Sequence, residues 1–138
     1  MNLPDPGTWP PHAARQVRLT CIDDRLSSAP FVARHGPAYE VRLAGGALAL
    51  TDERRDVAIR EILVPKALGP LETVWLEMHL ACGAVDLAGY RFSALEEERQ
   101  GLLAILRRAE IVVRDAVPGV MIRTRLVTPT GDDAPGVL

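Results

Sequence analysis

Cysteine is scarce in this sequence: Cys21 and Cys82 are the two thiols in 138 residues, far apart along the chain. That excludes a disulfide-dense secreted scaffold and the paired Cys spacings of a structural zinc ribbon, and makes reduced, cytoplasmic thiols the expectation. Lysine is scarcer still, since Lys66 is the one exception among sixteen basic residues. No charge of one sign dominates. Sixteen basic against eighteen acidic side chains give a net charge of -2, so the bulk positive field of a duplex nucleic-acid binder is absent. No stretch approaches the ~20 apolar residues of a membrane helix, and Met1 to Pro11 lacks a basic start followed by an apolar run, so neither membrane insertion nor a signal peptide is expected. Internal repeats, a nucleophile elbow, a phosphate loop and a dinucleotide fingerprint are also missing.

What remains is an ordinary globular mixture, 48% hydrophobic and 25% charged, of a length suited to one domain. Pro4, Pro6, Gly7, Pro10 and Pro11 mark residues 1–14 as a proline-rich arm, because proline removes backbone donors and fixes φ. Pro129 to Leu138 has similar breakers and is read as a flexible tail. The domain is thus placed at residues 15–128, with an extension from about 111.

Periodicity divides that domain. Val17, Leu19 and Cys21 alternate with Arg18 and Thr20, which predicts a strand over 15–22. Strand-like runs at 38–43 and 47–51 flank Gly45-Gly46, a pair that predicts a hairpin turn. Residues 57–64 fit a helical face at Ile59, Ile62 and Leu63, but their β-branched content favours a strand ended by Pro65. Val74, Leu76, Met78 and Leu80 alternate with Thr73, Trp75, Glu77 and His79, predicting a strand with one wetter face. Residues 85–92 read as another short strand bent at Gly89. Ser93 and Glu96 have the spacing of a capping box, and Leu95, Leu102, Leu106, Ala109 and Val113 form the packing face of the helix that follows. Pro118-Gly119 ends it, and Val120 to Leu126 alternates as a last strand with Arg123 and Arg125 on its polar face. Strands, one long helix and one more strand suggest an antiparallel sheet or small barrel covered by a helix.

The stretch from Leu87 through Gly89-Tyr90-Arg91-Phe92 to Glu98-Arg99 resembles the end of a PilZ domain, where a Gly-aliphatic-Arg-Phe strand runs into a capped helix. Thr73-Val74-Trp75-Leu76, Leu63-Val64-Pro65 and Gly45 to Leu50 are similar to other pieces of that bacterial family, in matching order over residues 15–110. The resemblance implies a mainly β fold: a six-stranded antiparallel barrel with a C-terminal helix, here with an extra C-terminal strand. It also implies cyclic di-GMP as ligand. Arg15 and Arg18 stand in for the family's arginine pair one residue short, while Glu40 and Arg42 with Gly45, or the register starting from Gly46, replace its Asp-x-Ser-x-x-Gly motif. With both motifs altered, the expectation is a non-catalytic regulatory adaptor of cyclic di-GMP or type IV pilus signalling. It would carry no cofactor and act through a protein partner, with dinucleotide binding weakened or lost. A genuine receptor using Arg15, Arg18 and Arg25 is the alternative. A third reading is a small metal- or thiol-dependent enzyme at Glu77, His79 and Cys82, for which the sequence shows no fourth ligand.

Overall fold

The alternation at Val17 and Leu19 does form a strand, β1 (Gln16–Thr20), but both neighbours run parallel to it. In the computed structural model, which describes residues 5–135, β1 is joined by β2 (Tyr39–Arg42), β3 (Thr73–His79) and β4 (Met121–Val127). They form one sheet of order β2-β1-β3-β4, every pair parallel. Residues 1–4 of the expected arm and 136–138 of the expected tail lie outside the described residues.

This overturns the six-stranded antiparallel PilZ barrel. Parallel neighbours cannot be joined by a hairpin and need a crossover, and the crossovers are helices. α1 (Ala29–His35) links β1 to β2, α2 (Arg55–Leu68) precedes β3, and α3 (Gly83–Leu87) with α4 (Leu95–Ala116) leads to β4. Three expected strands are absent for local reasons. Residues 47–51 belong to a 3-10 turn, Gly46–Thr51, buried from Gly46 through Leu50. Residues 57–64 lie in α2, where Ala58, Ile62 and Pro65 are buried at helical spacing and Val57 and Val64 face solvent. Pro65 does not end that segment; it sits inside the helix. Residues 85–92 are α3 followed by a turn at Gly89, φ 97°.

Gly45-Gly46 does adopt positive φ, 82° and 59°, yet it makes no hairpin. A Cβ on Gly46 would stand 2.2 Å from the carbonyl oxygen of Glu77 in β3. Close approach of the turn to the sheet, rather than chain reversal, demands that glycine.

The helix after Ser93 forms as expected, with its cap shifted by one residue. Ala94 is the N-cap, and it is Glu97, not Glu96, that reaches back to accept from the Ser93 N–H at 3.2 Å and from its hydroxyl. Leu102, Ile105, Leu106, Ala109 and Val113 of α4 are buried in one core with Val17, Leu19, Val74, Leu76, Met78 and Leu126 of the sheet. Each large apolar side chain so buried contributes roughly 1.5–3 kcal/mol.

The opposite side of the sheet is sealed too. Phe31 of α1 stands edge-on to Trp75, ring centroids 5.3 Å apart, and Arg18, Thr20, Glu77, His79 and Arg125 lie buried there. Covered faces are the rule for parallel sheets. Beyond β4 the chain folds back: the Ala134 N–H donates to Leu126 O at 3.0 Å, and Ala134 is buried. From the central pair β1 and β3, the sheet extends to β2 on one side and β4 on the other. The carboxyl ends of β1 and β3 therefore flank the place where strand order reverses, which in open α/β sheets is where a crevice opens for ligands.

Candidate metal centre

Cys21 is the first residue past β1, and His79 is the last residue of β3. Because β1 and β3 are adjacent and parallel, two positions far apart in sequence arrive at one end of the sheet. Cys82, immediately before α3, is brought back beside them by a turn through Ala81. The ligating atoms of Cys21, His79 and Cys82 all lie within 4.8 Å of one another, and all three residues are buried. The two sulfurs are 3.9 Å apart, and both cysteines are free thiols.

His79 is prepared for coordination. Its Nδ1 lies 2.8 Å from Leu80 O, an oxygen that can only accept, so Nδ1 carries the proton and the lone pair is at Nε2. That Nε2 is sealed from solvent and, among the described residues, has no hydrogen-bond partner. A buried polar atom left in this way is costly unless something occupies it, and a cation among two sulfurs is what the surroundings suit.

The thiols are primed unequally. Cys21 is held well below the usual thiol range, chiefly by the hydrogen bond from Cys82. Burial opposes the shift, while His79 and the backbone amides of Asp23 and Gly45 add to it; the Gly45 N–H reaches Sγ at 3.3 Å. Cys82 is pushed up by sharing its proton with Cys21 and by burial. The two thiols share a proton unequally, with the Cys21 side favoured as thiolate, and protons leave the pair when a cation binds. The imidazole of His79 is held above its ordinary range: burial works against protonation but is outweighed by the Cys21 sulfur and the Leu80 carbonyl.

Asp23 borders the group. Its Oδ1 accepts from the Arg25 backbone N–H at 2.9 Å and from Nε at 3.0 Å, its Oδ2 accepts from Arg25 Nη2 at 2.7 Å, and Oδ2 lies 3.6 Å from His79 Nε2. These bonds from Arg25 hold the Asp23 carboxyl well below its usual range.

Sequence reasoning placed His79 and Cys82 together but chose Glu77 as their companion. Glu77 points into the other network, accepting from Arg18, Thr20 and Arg125. The third member, Cys21, was missed; its one signal was a cysteine at the end of a strand-like run. Of the residues assigned to cyclic di-GMP, Arg18, Glu40 and Arg42 do meet, around Ser28, with Arg18 fully buried. Arg15 is exposed and paired with Glu72 near the start of β1, whereas Arg25 is bound to Asp23 beyond its end. Gly45 and Gly46 lie against Cys21 and the Glu77 carbonyl.

Comparison with known proteins bears on the fold. No family model matches the chain, and no curated protein matches it. Solved structures do. A carbonic anhydrase from Glaciozyma antarctica superposes with a TM-score of 0.62 at 17% identity, covering 93% of this chain and 85% of that one. The apo form of a carbon disulfide hydrolase gives 0.58 at 17% identity, covering 86% and 76%. A carbonic anhydrase from Streptococcus mutans gives 0.52 at 23%, covering 86% and 78%. At these identities the likeness establishes a shared fold. The PilZ resemblance is overturned, and with it the non-catalytic cyclic di-GMP or pilus adaptor without a cofactor, which rested on the barrel. The neighbours sharing the fold are enzymes by name, and the chain carries a group able to hold a metal. Among the described residues, no helix is long and apolar enough to cross a membrane.

Proposed function

We propose that this chain is a zinc-dependent hydrase that adds water to carbon dioxide, with the ion held by Cys21, His79 and Cys82. The observation carrying it is the buried convergence of two sulfurs with an unpartnered imidazole nitrogen at the switch point of the sheet. Two thiolates and one imidazole form a known catalytic donor set for zinc, three protein ligands leaving a position open, whereas structural sites close all four. The fold shared with two carbonic anhydrases supports the choice of substrate. Zinc there supplies a Lewis acid that makes water nucleophilic near neutral pH.

The chain's own residues do the remaining work. Asp23, with Arg25 on both its oxygens, is a fixed acceptor beside the ligands rather than a free donor to the ion. Its carboxylate is placed to orient a water by accepting its hydrogen bond, and the Arg25 guanidinium favours its ionised form. Reduced thiols are required throughout, which fits a reducing compartment such as the cytoplasm.

The test is stopped-flow hydration of carbon dioxide, followed by a pH indicator, on zinc-loaded protein. Turnover that disappears on chelation, returns with zinc and is absent in His79→Ala supports the reading. Zinc-loaded protein with no turnover above buffer overturns it, and carbon disulfide run in parallel shows whether the sulfur analogue is preferred.

A further inference from the structure

The turn carrying Cys82 back to His79 is strained. Ala81, between them, has φ 56°, and among the described residues it is the one non-glycine residue in the left-handed region. Alanine does not rest there without help, because its Cβ crowds the following carbonyl. The help is visible: the Ala81 N–H donates to Oε2 of Glu98 at 3.0 Å, from the first turn of α4. Glu98 and Cys82 also line one cleft of about 610 Å³, together with Tyr90, Phe92 and Leu95.

We propose that Glu98 is a positioning residue for the metal. Its carboxylate fixes the Ala81 amide and so sets where Cys82 Sγ stands relative to His79 Nε2. Resting on the zinc reading above, the inference adds that α4, which contributes no ligand, determines the geometry of the ligand loop. A charged acceptor on a backbone N–H is a strong bond, and it acts at the residue whose backbone is least able to hold its conformation alone. Groups that orient metal ligands in this way typically change affinity by about 10–100-fold when removed.

The experiment titrates metal-free protein with zinc against a chromophoric chelator and records the thiolate-to-cobalt absorption of the cobalt form. Glu98→Met keeps the length of the side chain without an acceptor, Glu98→Gln keeps the acceptor, and Glu97→Ala removes a carboxylate from the same helix turn that touches Ser93 instead. Expected are a loss of about 10–100-fold in affinity and an altered cobalt band for Glu98→Met. Glu97→Ala should stay near the wild type, and Glu98→Gln should lose less than Glu98→Met, since its amide oxygen accepts the same bond without the charge. Circular dichroism of the metal-free forms selects a temperature at which all are folded, and Glu98→Ala replaces the Met variant if that one does not fold. Unchanged affinity and spectrum on removing the acceptor overturn the inference, as does an equal loss in Glu98→Gln or Glu97→Ala. Failure of the wild type itself to bind metal overturns the zinc reading instead.

Discussion

Arg18 clasps Glu77 across two adjacent parallel strands, Nε to Oε2 at 3.0 Å and Nη2 to Oε1 at 2.5 Å, with both side chains fully sealed from solvent. Arg125 adds a third bond to the same carboxylate at 2.7 Å, and Thr20 a fourth at 2.7 Å. Two guanidiniums thus depend on Glu77, while Glu40 and Asp133 balance them from the rim. Removing one partner of such a pair leaves uncompensated buried charge, at a cost of about 3–5 kcal/mol. Glu77→Leu is therefore expected to lower unfolding free energy in urea by about that amount, and Glu77→Gln by less; a Glu77→Leu protein as stable as the wild type would refute the role given to this network.

Gly46 lies tight against the sheet. Its φ is 59°, and an added Cβ would lie 2.2 Å from Glu77 O, so Gly46→Ala must shift β3 or the turn. A left-handed alanine and an overpacked contact together are expected to cost about 2–4 kcal/mol, read as a lower midpoint in denaturant. Since the neighbouring Gly45 N–H bonds to Cys21 Sγ, zinc affinity should fall with it.

Arg25→Gln separates binding from turnover. It removes the fork holding Asp23 and leaves Cys21, His79 and Cys82 in place. Zinc content is expected to be unchanged while hydration falls by about 10–100-fold. The Asp23 carboxyl should also titrate closer to its ordinary range, a shift that carboxylate NMR would follow.

Acid destabilises the fold in a defined window. Asp23 is depressed chiefly by the Arg25 hydrogen bond; for Asp52 and Asp133 burial acts upward but is outweighed by Arg54 and by Arg125 with Arg34, respectively. A carboxyl depressed in the folded state binds fewer protons there than in the unfolded chain, so its stabilisation is complete above about pH 5, begins to fall near the unfolded value of about 4, and is gone only once pH drops below the depressed folded-state value. His35, lowered by burial and then by the Arg125 and Arg34 charges, acts with the same sign, losing stability as pH falls below about 6.5. In metal-free protein, denaturation free energy should decline steadily from pH 5 to 3, and Asp52→Asn should flatten part of that slope.

How much of this could be read from the sequence depends on what each pattern encodes. Alternation located β1, β3 and β4 to within a residue or two, because side chains alternate in any strand, and the strand-like run before Gly45-Gly46 located β2. It carries no strand direction. Arg18, Glu77 and His79 made β1 and β3 look wet on one face, although those polar groups satisfy one another inside the protein, so a doubly covered parallel sheet was read as half-exposed. The β-branched run from Val57 lost to helical spacing at Ala58, Ile62 and Pro65, which only the sheet beneath α2 makes decisive. At the site, His79 and Cys82 are local partners with a spacing that can be seen; Cys21 joins them only through the β1–β3 register, which no local pattern reports.

The identity of the ion and its ligands is open to zinc K-edge X-ray absorption on the purified, zinc-loaded chain. Expected is a first shell of two sulfurs at about 2.3 Å with a nitrogen at about 2.0–2.1 Å and one further light atom, falling to one sulfur in Cys21→Ser. A shell without sulfur, or two sulfurs persisting when Cys21 is gone, would contradict coordination by Cys21, His79 and Cys82.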